Sequence, residues 1–477
     1  MNTAINSQKL FFLLFIICVV TRILSGVYYI EDIDSLRFAL SLKEYNLSKL
    51  QPHFPGYPIF CFFAKIIFSI TSSIGITFSL IGGVSIFIII YYTLKLNRIE
   101  LSTLNGLLCT ILIFFNPLLW LMSNRYMPDL MGLSFLILSF YFLSIDRKKS
   151  KDVLIGFFLT GLLAGTRLSY LPLLLVPVCF HLIKHNHKLS LVYSFIFGCV
   201  IWLIPLVWIN GIDNLYHAAL KQTSGHFSDF GGTVLTENNW YVRIVSLIRS
   251  VWADGMGGYW SGRSWQTLIL SLPMLYLLYE GIKTLKKFVK NHQFLIYVGS
   301  IIVYLIWILL FQNIIYKSRH ILPLIVFVII IINMGMGSLV YKNKFPTNLV
   351  IGFFFISLIN VTLFLVIQHK TPNSISKIKD KLITDASNQT IVSIPLINYY
   401  LKTHGIESEF IDVEDSTDIE EIKQLDRDSL LLIGNFKENF LDNYETIQRR
   451  IYYHNPYVNR MWSEVEVARL IHKTNVK

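Results

Sequence analysis

Long apolar runs separated by short polar segments occupy the first three quarters of the chain. About 20 apolar residues cross the hydrocarbon core of a bilayer, and eleven runs approach that length. They lie at 10–29, 76–94, 102–122, 127–145, 152–166, 168–183, 189–209, 265–282, 294–313, 318–340 and 347–368. The runs at 152–166 and 168–183 are short and nearly continuous, which predicts a tight helical hairpin. The pattern predicts a polytopic α-helical membrane protein with about eleven spans.

A further apolar run at 57–71 is too short to cross and carries Lys65. Basic residues in short loops mark the cytoplasmic side of a membrane. If the N-terminus is cytoplasmic and 57–71 dips in without crossing, 14 basic residues fall in cytoplasmic loops, at 95–98, 147–151, 184–188, 283–290 and 342–344. Only Arg125, Arg167, Lys317 and Arg319 fall in short external loops. A full crossing would reverse this bias, so we expect a half-embedded helix at 57–71.

The same topology leaves two long segments, 30–56 and 210–264, and the C-terminal tail outside the cytoplasm. The tail alternates strand-like runs at 391–394, 409–413 and 430–433 with helix-like stretches at 397–404, 418–425 and 437–450. This alternation is typical of a small α/β unit. No glycine-rich phosphate loop is present in it. We therefore expect a transmembrane domain at 1–369 and a soluble extracytoplasmic α/β domain at 370–477.

The amino-acid composition agrees with a membrane protein, and the distribution of charge does not favour nucleic acid as a partner. Hydrophobic residues make up 53% of the chain and charged residues 15%, with a mean hydropathy of +0.53. Soluble domains carry about 25% charged residues. The net charge of +12 does not indicate nucleic acid, because 1–369 carries 28 basic and 13 acidic residues, whereas the tail carries 14 and 17. All five cysteines lie in apolar segments, which excludes a disulfide framework and a thiolate zinc site.

Ionisable residues collect at the predicted external ends of the spans. The first loop supplies Glu31, Asp32 and Asp34, and three other loops supply bases. Such groups are costly near hydrocarbon and tend to pair or to line a functional cavity. The set suits a site where a carboxylate handles a proton and several cations hold an anion. The alternatives are arginines that snorkel to lipid head groups and acids that are simply solvated.

Four short motifs resemble the GT-C superfamily of polytopic glycosyltransferases. Asp34-Ser-Leu-Arg-Phe-Ala-Leu40 and Pro52-His-Phe-Pro-Gly-Tyr-Pro58 are similar to those of its protein O-mannosyltransferase-like branch. Asn124-Arg-Tyr-Met-Pro-Asp129 resembles its R-x-x-P-D turn, and Tyr316-Lys-Ser-Arg-His-Ile-Leu-Pro323 a late motif. The resemblance covers 1–369 in architecture. Phe54 departs from it, because proline is usual there, and the tail resembles no known domain.

The resemblance implies transfer of a monosaccharide from a polyprenyl-phosphate carrier to an acceptor hydroxyl on the outer face of the cell membrane, with inversion. Asp34 would be the catalytic base and Asp32 the second candidate. The leaving phosphate needs charge stabilisation. The residues expected to bind it or the substrate are Arg125, Arg167, Arg319, Lys317, His320, His53 and Tyr57. No cofactor is firmly implied, and a divalent cation is compatible with the acids. The expected partners are the lipid-linked donor, a glycan, lipid or protein acceptor, and membrane lipid.

Two other classes share the same spans and basic loops. A polysaccharide polymerase or ligase also uses a large external loop with arginine and histidine, but the acid-rich first loop favours the transferase. A lipid or sugar transporter would place ionisable residues at mid-membrane and break its helices at matched positions in two halves. Apart from Arg22, the sequence shows neither feature.

Overall fold

A computed structural model describes residues 2–144, 149–228, 231–288, 291–342, 345–385, 389–425 and 427–475. Four of the basic residues assigned above to cytoplasmic loops, Arg147, Lys148, Lys290 and Lys344, lie outside these ranges. The chain divides into two compact units. The first comprises Met1–Tyr28 and Arg37–Ile367, and the second comprises Tyr29–Leu36 and Gln368–Lys477.

The first unit is helical. Its helices are α1 (Asn2–Leu24), α2 (Ile33–Ser41, which begins in the second unit), α3 (Pro58–Thr71), α4 (Ile74–Leu96), α5 (Leu104–Phe114), α6 (Pro117–Asn124), α7 (Asp129–Phe142), α8 (Ser150–Arg167), α9 (Leu175–Lys184), α10 (Lys188–Asn210), α11 (Ile212–Ser228), α12 (Trp240–Arg249), α13 (Trp265–Leu285), α14 (His292–Phe311), α15 (Leu322–Lys342) and α16 (Phe345–His369). Leu168–Leu174, Lys286–Phe288 and Ser318–Ile321 form 3₁₀ turns, and Ser250–Gly255 forms a π-helical turn.

Within the described residues, seven helical stretches are long and apolar enough to cross a membrane. An eighth is α5 with α6, if that pair is one span bent by 54°. The run at 102–122 was predicted as a span, and the structure adds a break within it. The helix breaks because Pro117 lacks an N–H group and Asn116 caps the new helix by accepting from the Leu119 amide. The total of about eleven spans stays a prediction.

Helix α3 begins and ends on one side of the helical bundle. Its 14 residues are about 21 Å long, less than the hydrocarbon thickness of about 30 Å. Helices α1 and α4 pack so closely that a Cβ on Gly75 would lie 2.6 Å from the Val27 carbonyl oxygen, and one on Gly83 2.7 Å from the Val19 Cα. These pairs make α1 and α4 antiparallel, so α4 starts where α1 ends. The segment between them, including α3, therefore adds no crossing, as predicted.

The apolar stretch Ser150–Lys184 folds back on itself. A straight helix of its 35 residues would separate the ends by about 50 Å. Instead, the Ser150 Oγ atom lies 3.2 Å from the Nε2 atom of His185. The 3₁₀ turn Leu168–Leu174 makes the reversal, with Pro172 inside it. The predicted hairpin at 152–183 is therefore present.

The second unit contains a five-stranded sheet. Its strands are β1 (Thr390–Ser393), β2 (Glu409–Asp412), β3 (Ser429–Ile433), β4 (Tyr444–Tyr453) and β5 (Glu464–His472), and its helices are α17 (Ser374–Thr384), α18 (Pro395–Thr403) and α19 (Ser416–Gln424). The order is β2-β1-β3-β5-β4, with β2, β1 and β3 parallel and β3, β5 and β4 antiparallel. Val392, Leu432 and Leu470 lie in the core on one face of the sheet.

The predicted α/β character of the tail is confirmed, but one of its elements is wrong. The stretch 437–450 was expected to be a helix, whereas Lys437–Phe440 forms a 3₁₀ turn and most of the remainder belongs to β4. Gln448, Arg449 and Arg450 are good helix formers, yet pairing with β5 decides their structure. Strand β4 lies at the edge of the sheet, where exposed charges prevent further pairing and hide the alternation of a strand. Strand β5 was not predicted, although its residues 465, 468 and 470 are apolar and buried.

Candidate functional site

The acidic segment of the first loop, Tyr29–Leu36, belongs to the second unit. The side chains of Glu31, Asp32 and Asp34 are only 2–5% exposed. They are therefore not solvated loop acids. Because an ionised carboxylate is costly to bury without partners, the contacts of this segment decide what each acid can do.

Asp32 caps a helix. Its Oδ1 atom accepts a hydrogen bond from the Ser35 amide at 2.8 Å, and its Oδ2 atom accepts one from Asn459 Nδ2 at 3.2 Å. Helix α2 starts at Ile33, so Asp34 lies in a helix and not in an extended segment. Residues two apart on a helix point about 200° away from each other, so Asp32 and Asp34 do not share a face. Asp32 is held as a structural cap, which leaves Asp34 as the better candidate for a base.

Glu31 and its neighbour bind the C-terminal part of the same unit. The Glu31 Oε1 atom lies 2.8 Å from His369 Nε2, and the Glu31 carbonyl accepts from Asn373 Nδ2. The Tyr400 hydroxyl donates to the Ile30 carbonyl at 2.7 Å. Burial raises the pKa of Tyr400 above its ordinary value, and the nearby carboxylates add to the effect, so the phenol keeps its proton. The segment that carries Asp34 is thus fixed by side chains more than 330 residues away.

Sequence reasoning missed these partners. His369, Asn373, Tyr400 and Asn459 were not predicted site residues, and no local pattern singles them out. Only their polar character within or next to an otherwise apolar segment gave a weak signal, as for His369 at the end of α16.

In the first unit, two of the predicted arginines share one carboxylate. Asp129 Oδ1 lies 2.9 Å from an Nη2 atom of Arg167 and 3.9 Å from the Nε atom of Arg319. The side chains of the three residues are 2%, 7% and 11% exposed. Asp129 opens α7, Arg167 ends α8, and Arg319 lies in the 3₁₀ turn before α15. Arg167 is therefore held in an ion pair and does not extend to lipid head groups.

Tyr57 and His53 join the same group of side chains. Arg167 Nη1 donates to the Tyr57 hydroxyl at 3.2 Å, and that oxygen lies 3.1 Å from His53 Nε2. Phe38 packs edge-on against both rings. Tyr57 has a φ of 46°, a left-handed conformation that non-glycine residues rarely adopt. Backbone of this kind clusters at functional sites, and here it places the phenol against Arg167.

The remaining predicted residues occupy neighbouring turns. His320 is buried within electrostatic reach of Arg167 and Arg319, and its carbonyl accepts from the Tyr304 hydroxyl at 3.0 Å. Lys317 precedes the same 3₁₀ turn, and its charge also reaches His320. Arg125 is half-buried at the end of α6, where its carbonyl accepts from the Met127 amide.

Cations outnumber acids among the side chains of this group. Arg167 and Arg319 both approach Asp129, and Lys317 lies nearby. Guanidinium groups bind phosphate and carboxylate oxygens through charge-assisted hydrogen bonds. The group lies at the start of α7, at the end of α8 and just before α15.

Arg22, which we left out of the site, has a structural role. It is fully buried and donates to the Phe114 carbonyl at 2.8 Å and to Ser123 Oγ at 3.3 Å. Its guanidinium carbon lies 3.8 Å from the centroid of the Trp120 ring. Cation–π contacts and carbonyl acceptors satisfy an arginine in an apolar place. Packing contacts therefore account for Arg22, the residue that had favoured a transporter.

A divalent cation finds no ready-made cage in the part of the chain that the structure describes. No group of three or more histidine, cysteine, aspartate or glutamate side chains there is close enough to hold a metal ion. Asp32 and Glu31 are already engaged by Asn459 and His369.

The order of the helices, followed by a C-terminal sheet, matches solved structures over almost the whole chain. ArnT from Cupriavidus metallidurans, bound to undecaprenyl phosphate, superposes with a TM-score of 0.54 and 9% sequence identity, covering 97% of this chain and 97% of ArnT. The fold is similar to that of ArnT. Its apo structure gives the same TM-score and identity, with 97% of this chain and 98% of ArnT covered. The sequence matches no protein-family model and no curated protein.

The likeness to ArnT confirms the expected polytopic helical fold with a small C-terminal sheet domain. At 9% identity it bears on the fold alone. The O-mannosyltransferase-like branch is not confirmed and stays a prediction.

Proposed function

We propose that this chain is a membrane glycosyltransferase that moves a monosaccharide from a polyprenyl-phosphate carrier to an acceptor hydroxyl. The cluster of Arg167, Arg319 and Asp129 carries the proposal, because it is a buried, positively charged site at the ends of membrane helices. The fold supports the class of carrier, since ArnT was solved with undecaprenyl phosphate. The cell membrane is the expected location, with the N-terminus cytoplasmic and residues 370–477 outside.

The cations act on the leaving group. When the bond between the anomeric carbon and the phosphate oxygen breaks, the phosphate takes the electron pair and gains charge. Guanidinium groups already in place stabilise that charge without reorganising, and Arg319 and Arg125 are the proposed donors. Arg167 is held by Asp129 and Tyr57, so it supplies a fixed positive charge. Lys317 adds to the same positive region, and His320 lies within it.

Asp34 is the proposed base. Its carboxylate takes the proton of the acceptor hydroxyl while the hydroxyl oxygen attacks the anomeric carbon. Attack from the face opposite the phosphate would invert the configuration there. Asp32 remains the second candidate, because each of its oxygens already accepts a hydrogen bond, from the Ser35 amide and from Asn459. Asp34 lies in the first turn of α2, directly after that cap.

Membranes containing the protein should be incubated with labelled polyprenyl-phosphate monosaccharides, and the label followed into an acceptor fraction. We expect transfer by the native chain and by Arg427→Gln, which removes only an exposed ion pair with Glu409. Asp34→Asn should abolish transfer. If no lipid-linked sugar tested gives transfer that depends on Asp34 or Arg319, the proposed function is wrong.

A further inference from the structure

A concave surface lies within the C-terminal unit, on residues that the proposed function does not use. It is a cleft between α17 and the face of the sheet opposite the core, and it encloses about 50 Å³. A water molecule takes up about 30 Å³ of liquid, so the cleft admits a small polar group. Its charged and aromatic lining residues are Lys381, Asp385, Arg450, Tyr452 and Arg469.

The charges of the cleft differ from those of the rest of this unit. The tail from 370 to 477 has 14 basic and 17 acidic residues, yet the cleft has three cations and one acid. Five cations elsewhere in the unit are paired with carboxylates, in Lys379–Asp380, Lys423–Glu420, Arg427–Glu409, Lys437–Glu438 and Arg449–Glu466. Among the described residues, Lys381, Arg450 and Arg469 form no such pair.

The alternation of side chains along β4 directs Arg450 toward the cleft. Successive side chains of a strand point to opposite faces, so Gln448, Arg450 and Tyr452 line the cleft. Arg449, between them, points the other way and binds Glu466 at 2.8 Å. The guanidinium carbon of Arg450 lies 4.9 Å from the centroid of the Tyr452 ring. The strand therefore separates a neutralised arginine from one that is available to a ligand.

We propose that this cleft binds an oxyanion, a phosphate or a carboxylate, that is carried by a saccharide. Arg450 and Arg469 would bind the oxyanion through charge-assisted hydrogen bonds, with Lys381 adding a point charge. The contact with the Tyr452 ring holds the Arg450 guanidinium in the cleft. The saccharide part of the proposal rests on the proposed function, since an acidic glycan would then be the acceptor. The oxyanion part does not depend on it.

Binding should be measured on the purified full-length protein by isothermal titration calorimetry, with glucose 6-phosphate, glucuronate, inorganic phosphate and glucose as probes. We expect the two acidic sugars to bind and glucose not to. The double variant Arg450→Gln/Arg469→Gln should weaken binding about tenfold or more, since two charge-assisted contacts are lost. Arg449→Gln is the matched control, because it removes a charge from the adjacent position on the other face, and it should bind as the native chain does.

Three results would overturn the proposal in whole or in part. Equal binding of glucose and glucose 6-phosphate, or equal loss in Arg449→Gln and in the double variant, contradicts the oxyanion site. Inorganic phosphate that binds as tightly as glucose 6-phosphate contradicts the saccharide part. Binding should also be measured with Asp34→Asn. If Asp34→Asn binds the acidic sugars as the native chain does, and the native chain shows no transfer activity, the oxyanion site is supported and the proposed function is wrong.

Discussion

The Nε2 atom of His369 lies 2.8 Å from the Oε1 atom of Glu31, and both side chains are almost completely buried. His369 ends the last long helix, α16, and Glu31 stands three residues before Asp34. The same short segment is bound by Tyr400, Asn373 and Asn459. The C-terminal residues therefore fix the position of the segment that carries the proposed base, and we propose a positioning role for them.

Replacing His369 tests this positioning role. His369→Ala leaves Glu31 buried without its partner, which costs about 1–3 kcal/mol or more for a charged group. We expect turnover to fall at least about tenfold, with little change in the KM for the lipid-linked donor. His369→Gln retains an N–H donor and should recover part of the activity. Arg427→Gln is the control for surface changes in the same unit, and full turnover by folded His369→Ala would refute the role.

Replacing Asp34 and replacing Asp32 should affect the transfer reaction differently. Asp34→Asn removes a proton acceptor with little change in volume, so transfer should be abolished while membrane insertion and donor binding persist. Asp32→Asn keeps a good helix cap and should stay within about tenfold of native, the rate equivalent of 1.4 kcal/mol. Asp32→Ala loses the cap, so we expect a lower thermal midpoint in detergent. An active Asp34→Asn together with an inactive Asp32→Asn would reverse the assignment of the base.

Much of the fold could be predicted because the bilayer imposes local constraints. A chain in hydrocarbon must satisfy its backbone internally, so spans are visible as apolar runs. Strands β1, β2 and β3 were also predicted, since each is a short run of β-forming residues. Strand β4 was not, because its charged residues suit an exposed edge and resemble a helix surface. Local sequence patterns therefore predicted the buried helices and strands but not the exposed edge strand β4.

The candidate site could be predicted only as a set of residue types. The sequence indicated that acids and arginines share one side of the membrane, but not which of them pair. Glu31 binds His369 across 338 positions, and Asp32 binds Asn459 across 427. Asp129 was noticed only as part of a turn, although it is the carboxylate between Arg167 and Arg319. Contacts over such distances depend on packing, which a single sequence does not contain.

Orientation in the membrane can be measured with a reporter that is active only outside the cytoplasm. Fusion directly after Lys370 should give an active reporter, because the predicted odd number of spans would place the tail outside. Fusions within 147–151 or 283–290 should be inactive, since these loops are rich in lysine and arginine. Total protein on a blot controls for expression of each fusion. Reporter activity at 147–151 would reverse the topology and remove the proposed site from the outer face.

Replacing Arg167 should lower mainly the stability of the protein, whereas replacing Arg319 should lower mainly the rate of transfer. Arg167 lies 2.9 Å from the carboxylate, and both side chains are buried, so Arg167→Ala removes the nearer partner of Asp129, a loss that costs about 3–5 kcal/mol of stability in a buried pair. Arg319 lies farther away, at 3.9 Å, and is the more exposed of the two.

We therefore expect Arg319→Ala to stay folded and to lose about 10²–10³ in rate, as loss of one transition-state donor does. Arg319→Lys should recover little, because lysine lacks the planar fork of guanidinium. Thermal midpoints in detergent separate the two effects, and Asp129→Asn combined with Arg167→Gln is the matched control, since it removes the pair without leaving a buried charge. If Arg319→Ala turns over donor normally while that double variant is also fully active, the phosphate is not held by this cluster.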